Sequence, residues 1–167
     1  MRAWPLLALL LTSPALAAQP IKTAVFNLEL IDMSGEAAVG TREDQTRRLQ
    51  LATAELRNLL GSSQQLELVD LAPQQEAISA KAPLHKCNGC SEDLARALGA
   101  DIFVTGIIQK TSNLILSFAI EIKDASTGNV IRGGQVDIRG NTDETWLRGV
   151  RWVVKNRLLA EPLPIRS

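Results

Sequence analysis

Three strand signals follow one another between Asp101 and Gly140 with no gap long enough for a helix. That run limits the fold more than any other stretch of the chain. "DIFVTGIIQK" is almost uniformly apolar, as a central strand covered on both faces must be. "TSN" turns the chain. "LILSFAIEIK" then alternates, with Leu114, Leu116, Phe118, Ile120 and Ile122 on one face. "DASTGN" reads as a hairpin loop, with Asp124 and Gly128 bracketing the turn, and "VIRGGQVDIRG" as the returning strand. Strands joined so closely pair as an antiparallel meander.

Upstream, strands and helices alternate. In "IKTAVFNLEL", Ala24, Phe26, Leu28 and Leu30 fall on one face of a first strand. "IDMSGEAAVG" reads as a loop. Thr41, with Asp44 three residues on, opens a helix over roughly 42–60, and Leu49, Ala52, Leu56 and Leu59 form its stripe. "LELVDL" is a short second strand, and Pro73 suits the first turn of a shorter helix ending near Lys81. Ser91 reads as an N-cap followed by Glu92 and Asp93, with Leu94, Ala97 and Leu98 inward and Gly99 as the stop. Asn141 and Glu144 cap a last helix whose stripe is Leu147, Val150, Val154 and Leu158, and Pro162 and Pro164 end the ordered part. The order β-α-β-α-α-β-β-β-α predicts an α/β (α+β) domain with a single mixed sheet of about five strands.

The first 18 residues stand apart. A basic start at Arg2, an apolar run from Leu6 to Leu11 and the small-x-small triplet Ala15-Leu16-Ala17 make the pattern of a secretory signal peptide. The run is too short to span a bilayer. Cutting after Ala17 or Ala18 leaves residues 19–167 as a single globular domain, and no Cys follows the cut to carry a lipid anchor. The expected location is the periplasm. Losing Arg2 leaves 17 basic against 18 acidic residues. A near-neutral balance gives no electrostatic footprint for nucleic acid. Aromatics are sparse, with no Tyr, which disfavours a stacking surface for sugars or bases.

Chemistry concentrates in "LHKCNGCSEDLARALGA", which holds both cysteines, Cys87 and Cys90, and the only histidine, His85. Three readings compete. C-x-x-C before a helix can make a redox pair, with Cys87 as nucleophile and Cys90 as resolving thiol, because helix amides favour a thiolate. Thioredoxin-like enzymes also place a cis-proline on a later strand, and residues 91–161 contain no proline. His85, Cys87 and Cys90 could instead bind zinc or copper, but a closed zinc site takes four ligands. Attachment of c-type haem needs His after the second Cys, where Ser91 stands. An even cysteine count in an exported chain favours a structural disulfide, and that reading leads. His85 has no evident partner as a general base. Glu29 and Asp32 form a possible carboxylate pair, although strand-end acids are usually solvated. Trp146 and Trp152 lie about 120° apart on a helical wheel, so they do not share a face. No nucleophile elbow, phosphate loop or H-E-x-x-H is present.

Leu98-Gly99-Ala100-Asp101, Val104-Thr105-Gly106 and Asp124-Ala125-Ser126-Thr127-Gly128 carry a family resemblance. A helix ending in L-G-A-D, a strand with V-x-G and a strand ending in D-x-x-T-G resemble the amino-terminal domain of TolB, CsgG and related envelope domains. The whole chain also resembles a short secreted proteobacterial family of unknown function that carries a C-x-G-C stretch. The resemblance implies a mixed sheet flanked by helices, a role in contact with other envelope proteins, no cofactor and no catalytic site. The expected function is therefore a non-enzymatic periplasmic interaction or accessory module. A thiol-disulfide accessory factor and an accessory to a periplasmic metallo- or quinoprotein enzyme stand as alternatives.

Overall fold

A computed structural model describes residues 19–35 and 42–164. The proposed signal segment and the N-cap expected at Thr41 lie outside the described residues. Six strands form one mixed sheet. They are β1 (Ile21–Val25), β2 (Glu29–Asp32), β3 (Leu66–Leu68), β4 (Ile102–Lys110), β5 (Ile115–Asp124) and β6 (Val130–Arg139). The order across the sheet is β3-β1-β4-β5-β6, with β2 also paired to β4. The β1–β3, β1–β4 and β2–β4 pairings are parallel, and β4–β5–β6 is the antiparallel meander. The helices are α1 (Glu43–Gly61), α2 (Gln75–Lys81), α3 (Cys90–Ala97) and α4 (Asp143–Val153), the last running on as a π-helical turn over Val154–Leu158.

The single first strand expected from the sequence is two strands. Both lie along the same edge of β4, and the register slips between them. Val25 pairs with Val104 and Glu29 with Ile107, so Phe26, Asn27 and Leu28 stand against only Thr105 and Gly106. One extra residue sends every following side chain to the other face. Ala24 and Phe26 therefore face the α3 side, whereas Leu28 and Leu30 face α1 and α4. The sequence alternation had put all four together.

On the α1/α4 side the core is continuous. Leu56 and Leu60 from α1, and Trp146, Val150 and Val153 from α4, close over Val104, Ile108, Phe118 and Ile120. Phe118 meets Trp146 edge-on, with ring centroids 5.8 Å apart. On the opposite side α2, α3 and the turn between them cover only the β1–β4 half, through Ile78, Leu84, Leu94 and Ala95 against Ala24, Phe26 and Phe103. Beyond them no helix among the described residues covers the odd-numbered face of β5 and β6, and Gly133, Gln135 and Asp137 are exposed there.

Several local expectations are corrected. The N-cap of α1 is Arg42, whose backbone N–H donates to Gln45 Oε1 at 3.3 Å. The N-cap of α3 is Gly89, and Ser91 lies buried inside the helix. Ala97 is exposed and Ala95 buried in its place. The cap of α4 is Thr142 with Thr145, each hydroxyl meeting the other's backbone N–H. Asn141 instead accepts the indole N–H of Trp146 at 2.8 Å. Trp146 takes the buried place expected of Leu147, and Leu114 lies exposed ahead of β5. The turn after β5 follows the expectation. Asp124 Oδ1 accepts from the N–H groups of Ser126 and Thr127, and Gly128 has a φ of 73°.

Candidate functional site

The register slip between β1 and β2 builds the candidate site. It turns Glu29 toward the α3 side, where the chain arrives from α2 through a 3₁₀ turn over Leu84–Lys86. Leu84 anchors that turn in the core. The first N–H groups of a helical turn have no partner within it, and an acid placed there satisfies them. Glu29 does so across the fold. Its Oε1 accepts from Leu84 N–H at 2.5 Å, and its Oε2 accepts from His85 N–H at 2.9 Å. The same oxygen meets His85 Nδ1 at 2.7 Å. An ionised carboxylate only accepts, so Nδ1 carries the hydrogen and Nε2 is the ring's remaining polar atom. His85 thus has a partner that sequence reasoning did not find. Glu29 lies 56 residues away, on a face set by the extra residue, and no local pattern links the two.

Cys87 and Cys90 follow at once and are bonded to each other, with their Cα atoms 5.6 Å apart. Gly89 between them has a φ of 80°, a left-handed conformation that glycine adopts freely. The bond joins the Glu29-held turn to the first residue of α3. The metal set His85, Cys87 and Cys90 is not assembled here. The two sulfurs are bonded to each other, and the Nδ1 side of the ring faces Glu29. Among the described residues no group of three or more His, Cys, Asp or Glu is placed to hold a metal ion.

A cavity of about 310 Å³ lies between this loop and the sheet. Its lining includes Glu29, His85, Cys87, Asn88 and Glu92, together with Thr105, Gly106, Ala119, Glu121 and Lys123 of β4 and β5, and Phe26 and Phe103. The Phe26 and Phe103 rings meet edge-on at 6.1 Å. Lys123 Nζ pairs with Glu121 Oε2 at 3.0 Å.

Glu29 and Asp32 do not form a carboxylate pair. Asp32 turns to the α1 side, where it takes Lys110 Nζ and Gln45 Nε2, each at 3.2 Å. Lys110 is fully buried. Burial alone would raise the Asp32 carboxyl, but the Ser34 hydroxyl and N–H, then Lys110 and Gln45, outweigh it and hold it below the ordinary aspartate value. A lysine closing an otherwise apolar strand was the only sequence sign of this cluster.

The wheel argument for the tryptophans holds. Trp146 is buried, whereas Trp152 is partly exposed with the Arg157 guanidinium 5.4 Å from its ring centre.

A mixed sheet with α1 and α4 on one face, α2 and α3 over half of the other and a disulfide-clipped loop at the border defines an α+β domain with helices on both sides of the sheet. The family model described as "Protein of unknown function (DUF2380)" matches residues 21–158, and the chain belongs to that family. No curated protein matches the sequence. Among solved structures the chain is similar to the LpoB C-terminal domain from Salmonella enterica. The TM-score is 0.53 at 19% identity, over 73% of this chain and 84% of that one. It is also similar to lipoprotein GNA1162 from Neisseria meningitidis, with a TM-score of 0.50 at 17% identity, over 85% of this chain and 98% of the other. TolB from Acinetobacter baumannii overlaps with a TM-score of 0.47 at 12% identity, over 87% of this chain and 30% of that one, a likeness of outline alone. At these identities the likeness is one of fold. No helix among the described residues is long and apolar enough to cross a membrane.

Proposed function

We propose that this chain is exported to the periplasm and works there by holding another envelope protein, without transforming a substrate. The observation that carries this reading is the bare half of the sheet. Among the described residues the odd-numbered face of β5 and β6 is left without a helix beside a cavity, while the opposite face packs against α1 and α4. No described element of the chain occupies this face, which leaves it open to a partner. The signal-peptide pattern and the TolB- and CsgG-type sequence resemblance support the same reading, and so does the likeness in fold to the LpoB domain and to a lipoprotein. The test is a photo-crosslinker placed at Gln135, on the bare face, compared with one at Gln50 on the exposed side of α1. One periplasmic protein trapped from position 135 and none from position 50 supports the reading. Equal trapping from both positions, or none together with catalytic turnover by the purified chain, overturns it.

A second reading rests on a separate observation. Cys90 is the first residue of α3, where helix amides favour a thiolate, and Cys87 borders the cavity. Thiol-disulfide exchange at this pair predicts insulin reduction above background, and background rates remove it.

A further inference from the structure

We propose, on the protein-binding reading above, that the outer edge of β6 takes an extended acidic segment of the bound partner as a further strand of the sheet. β6 ends the strand order, with β5 on one side and no described strand on the other. In an antiparallel ladder the residues of one strand turn their backbone groups alternately toward one neighbour and the other. Gly140 N–H donates to Leu114 O, and Thr111 N–H donates to Ile115 O. Even-numbered residues therefore bond between β5 and β6, and odd-numbered residues of β5 bond back to β4. The N–H and C=O groups of Gly133, Gln135, Asp137 and Arg139 are left pointing outward, and no described backbone group meets them. A strand of about six residues would pair with that row.

The surroundings set the sign of the guest. A groove between β6 and α4 is lined by Val136, Ile138, Arg139, Arg148 and Trp152, and Asp137 is its one acid. Further along the strand Arg157 lies across β6. A Cβ on Gly134 would stand 2.5 Å from the Arg157 Cβ, and the guanidinium sits 5.4 Å from the Trp152 ring centre. Arg139, Arg148 and Arg157 thus follow the edge, and none of them forms an ion pair among the described residues. Arg47, Arg48 and Arg151, on the α1 side of α4, are by contrast all held by carboxylates. Edge strands are commonly guarded by charge against pairing with their own kind. Here the guard is of one sign. A second copy would set arginines against arginines, whereas an acidic strand meets them as counter-ions. Trp152, 38% exposed, and Val136 give apolar side chains of that strand a place between the charges. A flat anionic surface such as a membrane would meet the arginines but not the outward peptide groups. An added strand also continues the bare face that the protein-binding reading assigns to the partner.

The probe is an acetylated Glu-Val repeat of about eight residues, added to the full mature chain. One control carries Lys in place of Glu. The other is the Glu peptide with every backbone nitrogen methylated, which keeps the charge and blocks the ladder. Amide exchange read by NMR should slow at Gly133, Gln135, Asp137 and Arg139. Gly134, Val136 and Ile138, already bonded to β5, should change little. Charge attraction alone leaves no such alternation. The affinity should be on the order of 1 mM or tighter, with each control about tenfold weaker or worse. Arg139→Gln with Arg148→Gln should weaken the peptide about fivefold at an unchanged melting temperature. Gln135→Pro removes one outward donor on an edge strand, where proline is tolerated, and should do the same. Uniform or absent protection up to about 10 mM peptide, equal response to either control, or binding that neither variant weakens overturns the proposal. Binding to phosphatidylglycerol vesicles with no peptide pairing also overturns it and assigns the arginines to a lipid surface. The crosslinker at Gln135 separates the two claims. A partner trapped there while no ladder forms removes the added strand and leaves the protein-binding reading standing.

Discussion

Leu28 fills the space that a side chain at position 106 would occupy. A Cβ built on Gly106 would collide with the Leu28 methyl and stand 3.1 Å from Ile120. The glycine is therefore the counterpart of the extra residue in the neighbouring strand: β4 gives up a side chain where the slipped strand presses in. Gly106→Ala should lower stability by about 1–3 kcal/mol, as overpacking does in a close-packed core. In a chain of this size that is a fall of several degrees in Tm. Leu28→Ala costs about 2–5 kcal/mol by itself, so the two losses combined should fall clearly short of their sum, because the truncation vacates the contested volume. Strictly additive losses would show that the collision is not the cause.

This pair also marks where the sequence could be read and where it could not. The meander was legible because Leu116, Phe118, Ile120 and Ile122 alternate without a break and Asp124 to Gly128 announce the turn. A glycine inside a strand marks a bulge or a close approach, but nothing in the sequence says which neighbour approaches Gly106. The slip between β1 and β2 left no local mark, since both halves of "AVFNLEL" alternate correctly by themselves. Every consequence of the slip was hidden with it, including the facing of Leu28 and the meeting of Glu29 with His85. The helix caps failed for a different reason. At each helix start several residues could cap, and tertiary contacts chose among them, as when Asn141 was drawn off to the Trp146 indole.

Replacing Glu29 tests the latch on the loop. Glu29→Gln keeps one carbonyl oxygen but sets an NH₂ group against donors that the carboxylate now accepts. The cost should be about 1–3 kcal/mol, typical of a hydrogen-bonded buried group left facing a like group. Amide exchange at Leu84 and His85 should speed up while that of Phe118 and Ile120 follows only the global change. Unchanged exchange at 84 and 85 would mean that the turn holds without its acid.

Acid should destabilise the fold through Asp32. Its carboxyl titrates below the ordinary aspartate value in the folded chain, so the unfolded chain takes up the proton first as pH drops. The stabilisation is fully present above about pH 4 and is lost as pH falls through the lower folded value. Asp124 shifts in the same direction, chiefly through the Ser126 hydroxyl and the Thr127 N–H. Asp32→Asn removes the carboxylate that faces the buried Lys110, which should cost about 3 kcal/mol at neutral pH. The variant's stability should then decline less steeply below pH 4 in urea unfolding curves. A variant that keeps the parent's slope would place the acid sensitivity elsewhere.

The two helix tryptophans should separate cleanly in fluorescence. Trp146 is enclosed, donates to Asn141 and meets the Phe118 ring, so Trp146→Ala should cost about 3–5 kcal/mol. Trp152→Ala should stay within about 0.5 kcal/mol, since its ring is partly in water and its neighbour is a surface arginine. In the mature chain with Trp152 replaced, iodide should hardly quench the remaining emission. Strong quenching would mean that α4 does not bury Trp146.

The bond between Cys87 and Cys90 closes a loop of only four residues, so the chain-entropy model assigns it about 2 kcal/mol. Its position matters more than that figure. One sulfur follows a turn held by Glu29 and the other opens α3, so the bond fixes one cavity wall to the helix start. Reduction should lower Tm by a few degrees and speed amide exchange over residues 86–91, with the sheet unchanged. Glu29 already fixes the turn ahead of Cys87, and Gly89 relaxes the loop without strain at the helix cap, so the oxidised form is the one the surrounding contacts support. The reduction potential should accordingly fall below about −300 mV, in the range of structural bonds. Thiol trapping in graded redox buffers by mass spectrometry gives the value. A potential of about −120 to −200 mV would place the pair among exchangeable disulfides and move thiol exchange ahead of the staple.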